Sequence, residues 1–329
     1  MAEQEAFLLP VPYFHLVFTL PRPIATLALY NKKLLYGLLM RVSAEVVLTL
    51  AADPKFFGGR AGFLSVLHTW SQRLEHHPHV HMVVPGGVLA PDGRRWISSR
   101  RNFFLPVRVL SALFRRRFLE ELSKLKSRGE LRFQGASAQL AESESWEAMV
   151  SALRKQPWVV YAKPPFGGPR QVLRYLARYT HRVAISNSRL LQFDGERVTF
   201  RCRARKSGDP ERAMTLPLAS LIDRFLLHLI PKGFVRIRHY GFLSPRARAQ
   251  AFPQLRFLLP APQPATTEER NAPSTRCPKC SCGVLTKGSE LPRAPLLRPS
   301  ARNLLFARTG PPLKLESRRG DVPLLPRAA

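Results

Sequence analysis

The alternation of apolar and polar positions divides residues 11–256 into short strands and longer helices. Segments rich in aromatic and β-branched residues are typical of strands, and they occupy residues 11–20, 62–70, 79–85, 158–163 and 234–242. Longer segments repeat apolar residues at helical spacing, and they occupy residues 24–52, 107–128, 143–155, 169–182 and 216–230. Asp-Gly pairs between apolar runs, at residues 92–93 and 194–195, predict two β-hairpins. Together these segments predict an α+β fold in which helices cover one side of an antiparallel sheet.

A change of composition near residue 257 predicts three parts of the chain. Residues 1–256 carry the periodic segments, and we expect them to form one domain. Residues 257–283 are rich in Pro and Thr, which indicates a linker, and they end in a small cluster of cysteines. Residues 284–329 contain many Pro and Arg, few aromatic residues and no clear period, so we predict a disordered basic tail.

The chain is strongly basic, with 52 Lys and Arg against 22 Asp and Glu and a net charge of +30 at pH 7. Such a charge favours a polyanionic partner, because each cation that meets a phosphate releases a condensed counterion. Arg suits phosphate better than Lys, because its fork binds two oxygens at once. Nucleic acid is therefore the predicted partner, although a general bias toward Arg in the genome would produce a similar composition.

The cysteines and the apolar runs indicate where the protein acts. Four cysteines in 329 residues do not form a disulfide framework, which indicates a reducing compartment. No uninterrupted apolar run reaches the ~20 residues needed to cross a bilayer. The N-terminal segment starts acidic and has no basic region of the kind that opens a signal peptide. We expect a cytoplasmic, nucleoid-associated protein with no membrane partner.

Four of the nine histidines lie close together around His79-Val80-His81. Side chains alternate between the faces of a strand, so His79 and His81 share one face while Val80 points into the core. Two imidazoles on one face are able to share a metal ion. For an oxygen ligand beside them we expect Gln72, with Glu75 as the alternative. Such a set leaves positions open for phosphate and water, so the predicted ion is Mg²⁺ or Mn²⁺.

The predicted helix 169–182 has a continuous basic stripe, because an arginine recurs at every fourth position. The stripe consists of Arg170, Arg174, Arg178 and Arg182. Tyr175 and Tyr179 are also four residues apart, so they lie one turn above the other at the edge of the stripe. Nearby positive charge would lower the barrier for attack of a phenol on a phosphate. The alternative is that both tyrosines are boundary residues that pack their rings and hydrate their hydroxyls.

These two motifs resemble those of the two-tyrosine HUH transposases of rolling-circle insertion sequences, the group typified by insertion sequence ninety-one. His79-Val80-His81, within HHPHVHMVVPGG, is similar to the His–hydrophobe–His motif of the group. Tyr175 and Tyr179, within RYLARYTHRVAISNSRL, are similar to its tyrosine pair. The flanking segments LLPVPYFHLVFTLP, VLHTWSQ, PDGRRW and RIRHYGFL also resemble the group, so the likeness covers residues 7–256.

The resemblance implies an HUH endonuclease domain, in which a ferredoxin- or RRM-like antiparallel sheet carries the histidines. It also implies a transposase that nicks and rejoins single-stranded DNA at the ends of a mobile element. Each cut would leave a 5′-phosphotyrosine link and a free 3′-hydroxyl. Two tyrosines would allow two strand transfers without a double-strand break.

The sequence departs from this family at both ends. Family members usually carry a Cys/His zinc-binding module before the first strand, and we expect that module to be lacking because the chain begins almost at that strand. Cys277, Cys280 and Cys282 supply three thiols, one fewer than a four-coordinate structural zinc site requires. Three alternatives stay open: a replication-initiator or relaxase-type HUH nuclease, a nucleic-acid-binding protein without catalysis, and a decayed transposase that only binds DNA. The sequence leaves the oligomeric state open.

Overall fold

Five antiparallel strands form the main sheet of the computed structural model, which describes residues 8–166, 184–202 and 212–259. The strands are β1 (Tyr13–Thr19), β2 (Gly62–Trp70), β3 (His76–Pro85), β4 (Gly87–Leu89), β5 (Trp96–Ser98), β6 (Val160–Phe166), β7 (Leu190–Phe193), β8 (Arg197–Cys202), β9 (Arg212–Pro217) and β10 (Ile237–Gly241). The main sheet has the order β10-β2-β3-β1-β6, so β3 is central and β10 and β6 are the edges. All four strand pairs in it are antiparallel.

Helices cover one face of the main sheet. Among the described residues the α-helices are α1 (Arg22–Tyr30), α2 (Lys32–Ala52), α3 (Val107–Ser127), α4 (Ser143–Lys155), α5 (Leu218–Leu226) and α6 (Pro245–Leu258). Every second residue of β1 and β3 packs in one core with helices α1 to α4. These residues are Phe14, Leu16, Phe18, Val80, Met82 and Val84. The residues between them point to the other face, where Val17 lies opposite His81 and Thr19 opposite His79.

Helix α2 is the central helix of this core. By length and composition alone it would also be able to cross a membrane, but 67% of its apolar stretch is buried inside the protein. Tyr36, Leu39 and Val42 are fully buried, and burial of each such apolar side chain contributes roughly 1.5–3 kcal/mol. Its apolar character is therefore accounted for by packing within the protein.

A second sheet contains β7, β8 and β9. Phe200 and Cys202 of β8 share a small core with Leu74, which lies in the turn between β2 and β3. Phe225 of α5 and Trp70, at the end of β2, pack against the same cluster. The second sheet is thus attached to the end of the strand pair that carries the histidines.

The α+β prediction, with an antiparallel sheet covered by helices, is confirmed. Both hairpins with an Asp-Gly turn are also confirmed, as β4–β5 and β7–β8. The segment 24–52, predicted as one helix, is instead two helices that meet at Asn31. The Asn31 amide donates to the carbonyl oxygens of Leu27 and Arg132 and accepts from the Arg132 N–H. These bonds hold a non-helical residue between the two helices.

Two further segments differ from the prediction near the end of the described chain. Residues 212–217 pair with β8 as strand β9, so the helix predicted over 216–230 begins only at Leu218. Helix α6 is absent from the prediction, and it contains Pro253, a residue that argues against a helix interior.

Several predictions concern residues outside those that the structure describes. The helix predicted for 169–182, the cysteine cluster and the basic tail are among them. The described residues all belong to one compact unit, Met1–Gln263. The division into a domain over 1–256, a linker over 257–283 and a tail over 284–329 stays a prediction.

Candidate metal centre

Three histidines meet on the face of the main sheet that is opposite the helical core. His79 and His81 come from β3, and His68 comes from the neighbouring strand β2, directly opposite His79. One nitrogen of each ring lies within 4.8 Å of the others. Two nitrogens on one metal ion lie roughly 3–4 Å apart, since each metal–nitrogen bond is about 2.1 Å. Small rotations of the rings would therefore bring all three nitrogens onto one ion.

Hydrogen bonds at Nδ1 hold the rings of His79 and His81 in place. The Nδ1–H of His79 donates to the backbone carbonyl of His77 over 2.6 Å, which leaves the Nε2 lone pair for a ligand. His81 Nδ1 is 2.7 Å from His15 Nε2 on β1, and the two rings lie within 6° of one plane. If His81 binds a metal through Nε2, its Nδ1–H must donate to His15. Such partners fix the tautomer and the orientation of ligating histidines.

The electrostatics of the cluster favour neutral imidazoles, the form that binds metals. Burial lowers the pKa of His79 to about 4 and holds the pKa of His68 and His81 well below the usual 6.5. Burial, together with the smaller effect of the charge of Lys163, lowers the pKa of His15 to about 4. All four rings are thus neutral near pH 7.

The strands of the main sheet contain no Asp or Glu. Their titratable side chains are histidines, tyrosines, Lys163 and Arg238. A cation at the histidine cluster would therefore keep most of its charge and attract an anionic ligand. This face is suited to hold a metal ion against a phosphate.

Trp70 connects the cluster to the second sheet. Its ring stacks on His68, with centroids 4.7 Å apart and planes 15° apart. The same ring packs against the cluster of Phe200 and Cys202. Packing of the second sheet thus limits the movement of the His68 ring.

The structure brings the predicted residues His79 and His81 together. It also places His68, which was not predicted, in the same cluster. His68 lies in the segment VLHTW, but its pairing with His79 depends on strand register, which the local pattern does not give. Gln72 lies in the turn after β2 with its side chain exposed, and its backbone carbonyl accepts hydrogen bonds from Arg189 and Cys202. The roles of Gln72 and of its alternative, Glu75, as metal ligands stay predictions.

The remaining predicted site residues lie outside the residues that the structure describes. These are Tyr175, Tyr179, Arg170, Arg174, Arg178, Arg182, Cys277, Cys280 and Cys282. Their roles stay predictions.

Sequence comparison identifies the family. The profile of a family described as "Putative transposase" matches residues 62–251. The "Putative transposase y4qJ" of Sinorhizobium fredii is 52% identical over 268 residues, which cover 82% of this chain and 67% of that protein. The "Transposase for insertion sequence element IS801" of Pseudomonas savastanoi pv. phaseolicola is 30% identical over 271 residues, which cover 77% of this chain and 60% of that one. The chain therefore belongs to this transposase family, the two-tyrosine HUH group of insertion sequence ninety-one.

The alignments span about two thirds of the length of these two relatives. Among solved structures, the chain is similar to the conjugative relaxase TrwC in complex with OriT DNA in a metal-free structure, with 13% identity and a TM-score of 0.28 over 74% of this chain and 71% of that one. A TrwC complex with a 27-mer DNA comprising the recognition hairpin and the cleavage site has 14% identity and a TM-score of 0.28 over 74% and 73% of the chains. These TM-scores are too low to define a shared fold.

Proposed function

We propose that this protein is a metal-dependent transposase that nicks and rejoins single-stranded DNA through a 5′-phosphotyrosine intermediate. The observation that carries the proposal is the cluster of His68, His79 and His81 on a sheet face without carboxylates. Membership of the transposase family supports the same activity. The partner we propose is the single-stranded end of a mobile element, inside the cytoplasm and near the nucleoid.

The three histidines fit a divalent metal ion, because their rings are neutral and two of them are held from behind by hydrogen bonds. A divalent cation bound there supplies Lewis-acid polarisation of a phosphate oxygen. Three imidazoles suit Mn²⁺ better than Mg²⁺, which prefers oxygen ligands. We therefore expect Mn²⁺ to support activity at lower concentration than Mg²⁺.

In this proposal, Tyr175 or Tyr179 supplies the nucleophile. Its phenolic oxygen forms a bond to phosphorus and loses its proton, while the bond from phosphorus to the 3′ oxygen breaks and that oxygen takes up a proton. The covalent ester keeps the energy of the phosphodiester for rejoining. Arg174 and Arg178 bind the phosphates of the DNA backbone beside the tyrosines.

Adduct formation on single-stranded oligonucleotides with the element's own ends tests this function. With Mn²⁺, the wild-type chain should form a covalent protein–DNA adduct that survives a denaturing gel. His68→Ala, His79→Ala and His81→Ala should each abolish it, whereas His239→Ala, on the same sheet face but outside the cluster, should not. Adduct from the three cluster variants at the wild-type level would remove the metal site from the mechanism.

The tyrosines are tested in the same assay by substitutions that keep the ring and remove the hydroxyl. Tyr175→Phe and Tyr179→Phe should each still form adduct with one class of substrate, and the double variant should form none. Adduct from the double variant would show that another residue is the nucleophile. A wild-type protein that binds DNA but never forms an adduct would favour a binding protein without catalysis.

A further inference from the structure

The edge strand β6 and the residue just before it present exposed apolar side chains on the histidine face of the main sheet. Val17 pairs with His81 on one side and with Tyr161 on the other, so Tyr161 lies in the same row as His81, one strand beyond Val17. Tyr161 is 48% exposed and Val159 is 65% exposed, whereas Val160 between them is buried in the core. Two strand spacings of about 4.8 Å place the Tyr161 and His81 backbones about 10 Å apart.

A cation lies beside this aromatic ring. Lys163 Nζ is 5.8 Å from the centre of the Tyr161 ring. Lys163 is exposed and pairs with His15 of the neighbouring strand β1, the residue that contacts His81. No strand of this sheet carries an Asp or Glu. The exposed ring therefore lies beside a positive charge, on a sheet whose strands carry no carboxylate.

An exposed aromatic ring next to a cation on a sheet face is suited to single-stranded nucleic acid. Every base has a flat face that stacks on such a ring, and a lysine beside it neutralises the adjoining phosphate. A protein surface usually carries charges of both signs. The cation beside the ring and the lack of carboxylates on these strands favour a polyanionic partner instead. Duplex DNA would hide its bases from the ring, so an unpaired strand is the partner that fits.

We propose that Tyr161 stacks a base of the single strand whose phosphate is held at the histidine cluster, while Lys163 contacts the neighbouring phosphate. This inference rests on the proposed function for the identity of the DNA, but its test does not depend on cleavage. Tyr161 would thereby position the strand relative to the histidine cluster.

Binding of a fluorescent single-stranded oligonucleotide to the full chain in EDTA tests the inference. Tyr161→Ala should weaken binding by about 5- to 150-fold, the range expected for the loss of one stacked base. Tyr161→Phe should bind nearly as wild type. Tyr161→Thr, which keeps the strand propensity of this edge position, should behave as the Ala variant. The matched control is Phe103→Ala, because Phe103 is 45% exposed and its neighbour Phe104 packs on the core face through Phe14.

Two further measurements identify the kind of contact. Lys163→Gln should flatten the dependence of log affinity on log salt by about 0.7, the value for one phosphate on a single strand, whereas Tyr161→Ala should leave that slope unchanged. Binding of a blunt duplex should be the same for wild type and Tyr161→Ala. Equal losses on duplex and single strand would overturn the stacking role, and so would Tyr161→Ala binding as tightly as Phe103→Ala.

Failure of this inference is distinguishable from failure of the proposed function. If wild type forms the covalent adduct and Tyr161→Ala binds single strands as the control does, the stacking role is wrong and the transposase activity stands. If Tyr161→Ala loses binding but wild type never forms an adduct, the surface binds single strands and the proposed chemistry is wrong.

Discussion

Replacement of His15 tests whether its contact with His81 fixes the orientation of that candidate metal ligand. His15 is 6% exposed on β1, and its Nε2 lies 2.7 Å from Nδ1 of His81 in nearly the same plane. Phe at position 15 has no ring nitrogen, so the Nδ1–H of His81 loses this acceptor. The imidazole of His81 is then able to rotate or to change tautomer. Loss of such a partner lowers metal affinity by about 10- to 100-fold, or about 1.4–2.8 kcal/mol. His15→Phe should therefore bind Mn²⁺ that much more weakly, because Phe fills the space of the ring.

Isothermal titration of the full chain with Mn²⁺ in the absence of DNA measures this effect directly. His15→Gln keeps a polar group that is able to accept from His81 and should lose less affinity than His15→Phe. His239→Phe changes a histidine of the same face outside the cluster and serves as the control. Thermal unfolding in EDTA shows whether each variant is folded. A folded His15→Phe variant with a Kd within about twofold of wild type would refute the role of His15, since the expected change begins at about tenfold.

Two other predictions concern the stability of the metal-free protein. The free energy of unfolding should fall as the pH drops from 6.5 to 4, because burial lowers the pKa of His15 to about 4 while the unfolded residue takes up its proton near 6.5. For His15 alone the loss of unfolding free energy amounts to about 3 kcal/mol. Urea unfolding in EDTA between pH 7.5 and 4.5 would measure it. An unfolding free energy that does not change with pH would contradict the burial of neutral histidines. Asn31→Ala should lower the free energy of unfolding by about 2 kcal/mol, because it removes two partly buried hydrogen bonds to the backbone of Arg132, each worth about 1 kcal/mol. An unchanged urea midpoint would show that the helix break does not depend on these bonds.

Local patterns in the sequence predicted the elements that carry the site, and the reason is the period of a strand. Alternation alone placed His79 and His81 on one face and Val80 in the core, as the structure confirms. The aromatic and β-branched residues of segment 62–70 predicted β2 with its observed bounds. Where one face of a strand is buried, a shift of one residue would expose every apolar side chain, so the sequence specifies the face strongly.

The residues that local patterns missed depend on contacts between distant segments. His68 and His15 become part of the cluster only through the register of β2 and β1 against β3. The break at Asn31 depends on Arg132, which lies 101 positions away in the chain, and the apolar spacing of the helical segment continues through it. Strand β9 likewise forms by pairing with β8. Periodicity reports which face of an element is buried, but it does not report which element lies beside it.

Under the proposed function, the lack of carboxylates on the main sheet should make the binding of metal and the binding of DNA depend on each other. Three neutral imidazoles would leave a divalent ion with most of its charge, and the net charge of +30 on the chain opposes the arrival of any cation. A bound phosphate supplies the missing negative charge, so DNA should raise the affinity for the metal. By thermodynamic linkage the metal then raises the affinity for DNA by the same factor. The charge expected to recruit DNA should therefore also favour loading of the metal on the DNA-bound protein, where a phosphate is present to be cut.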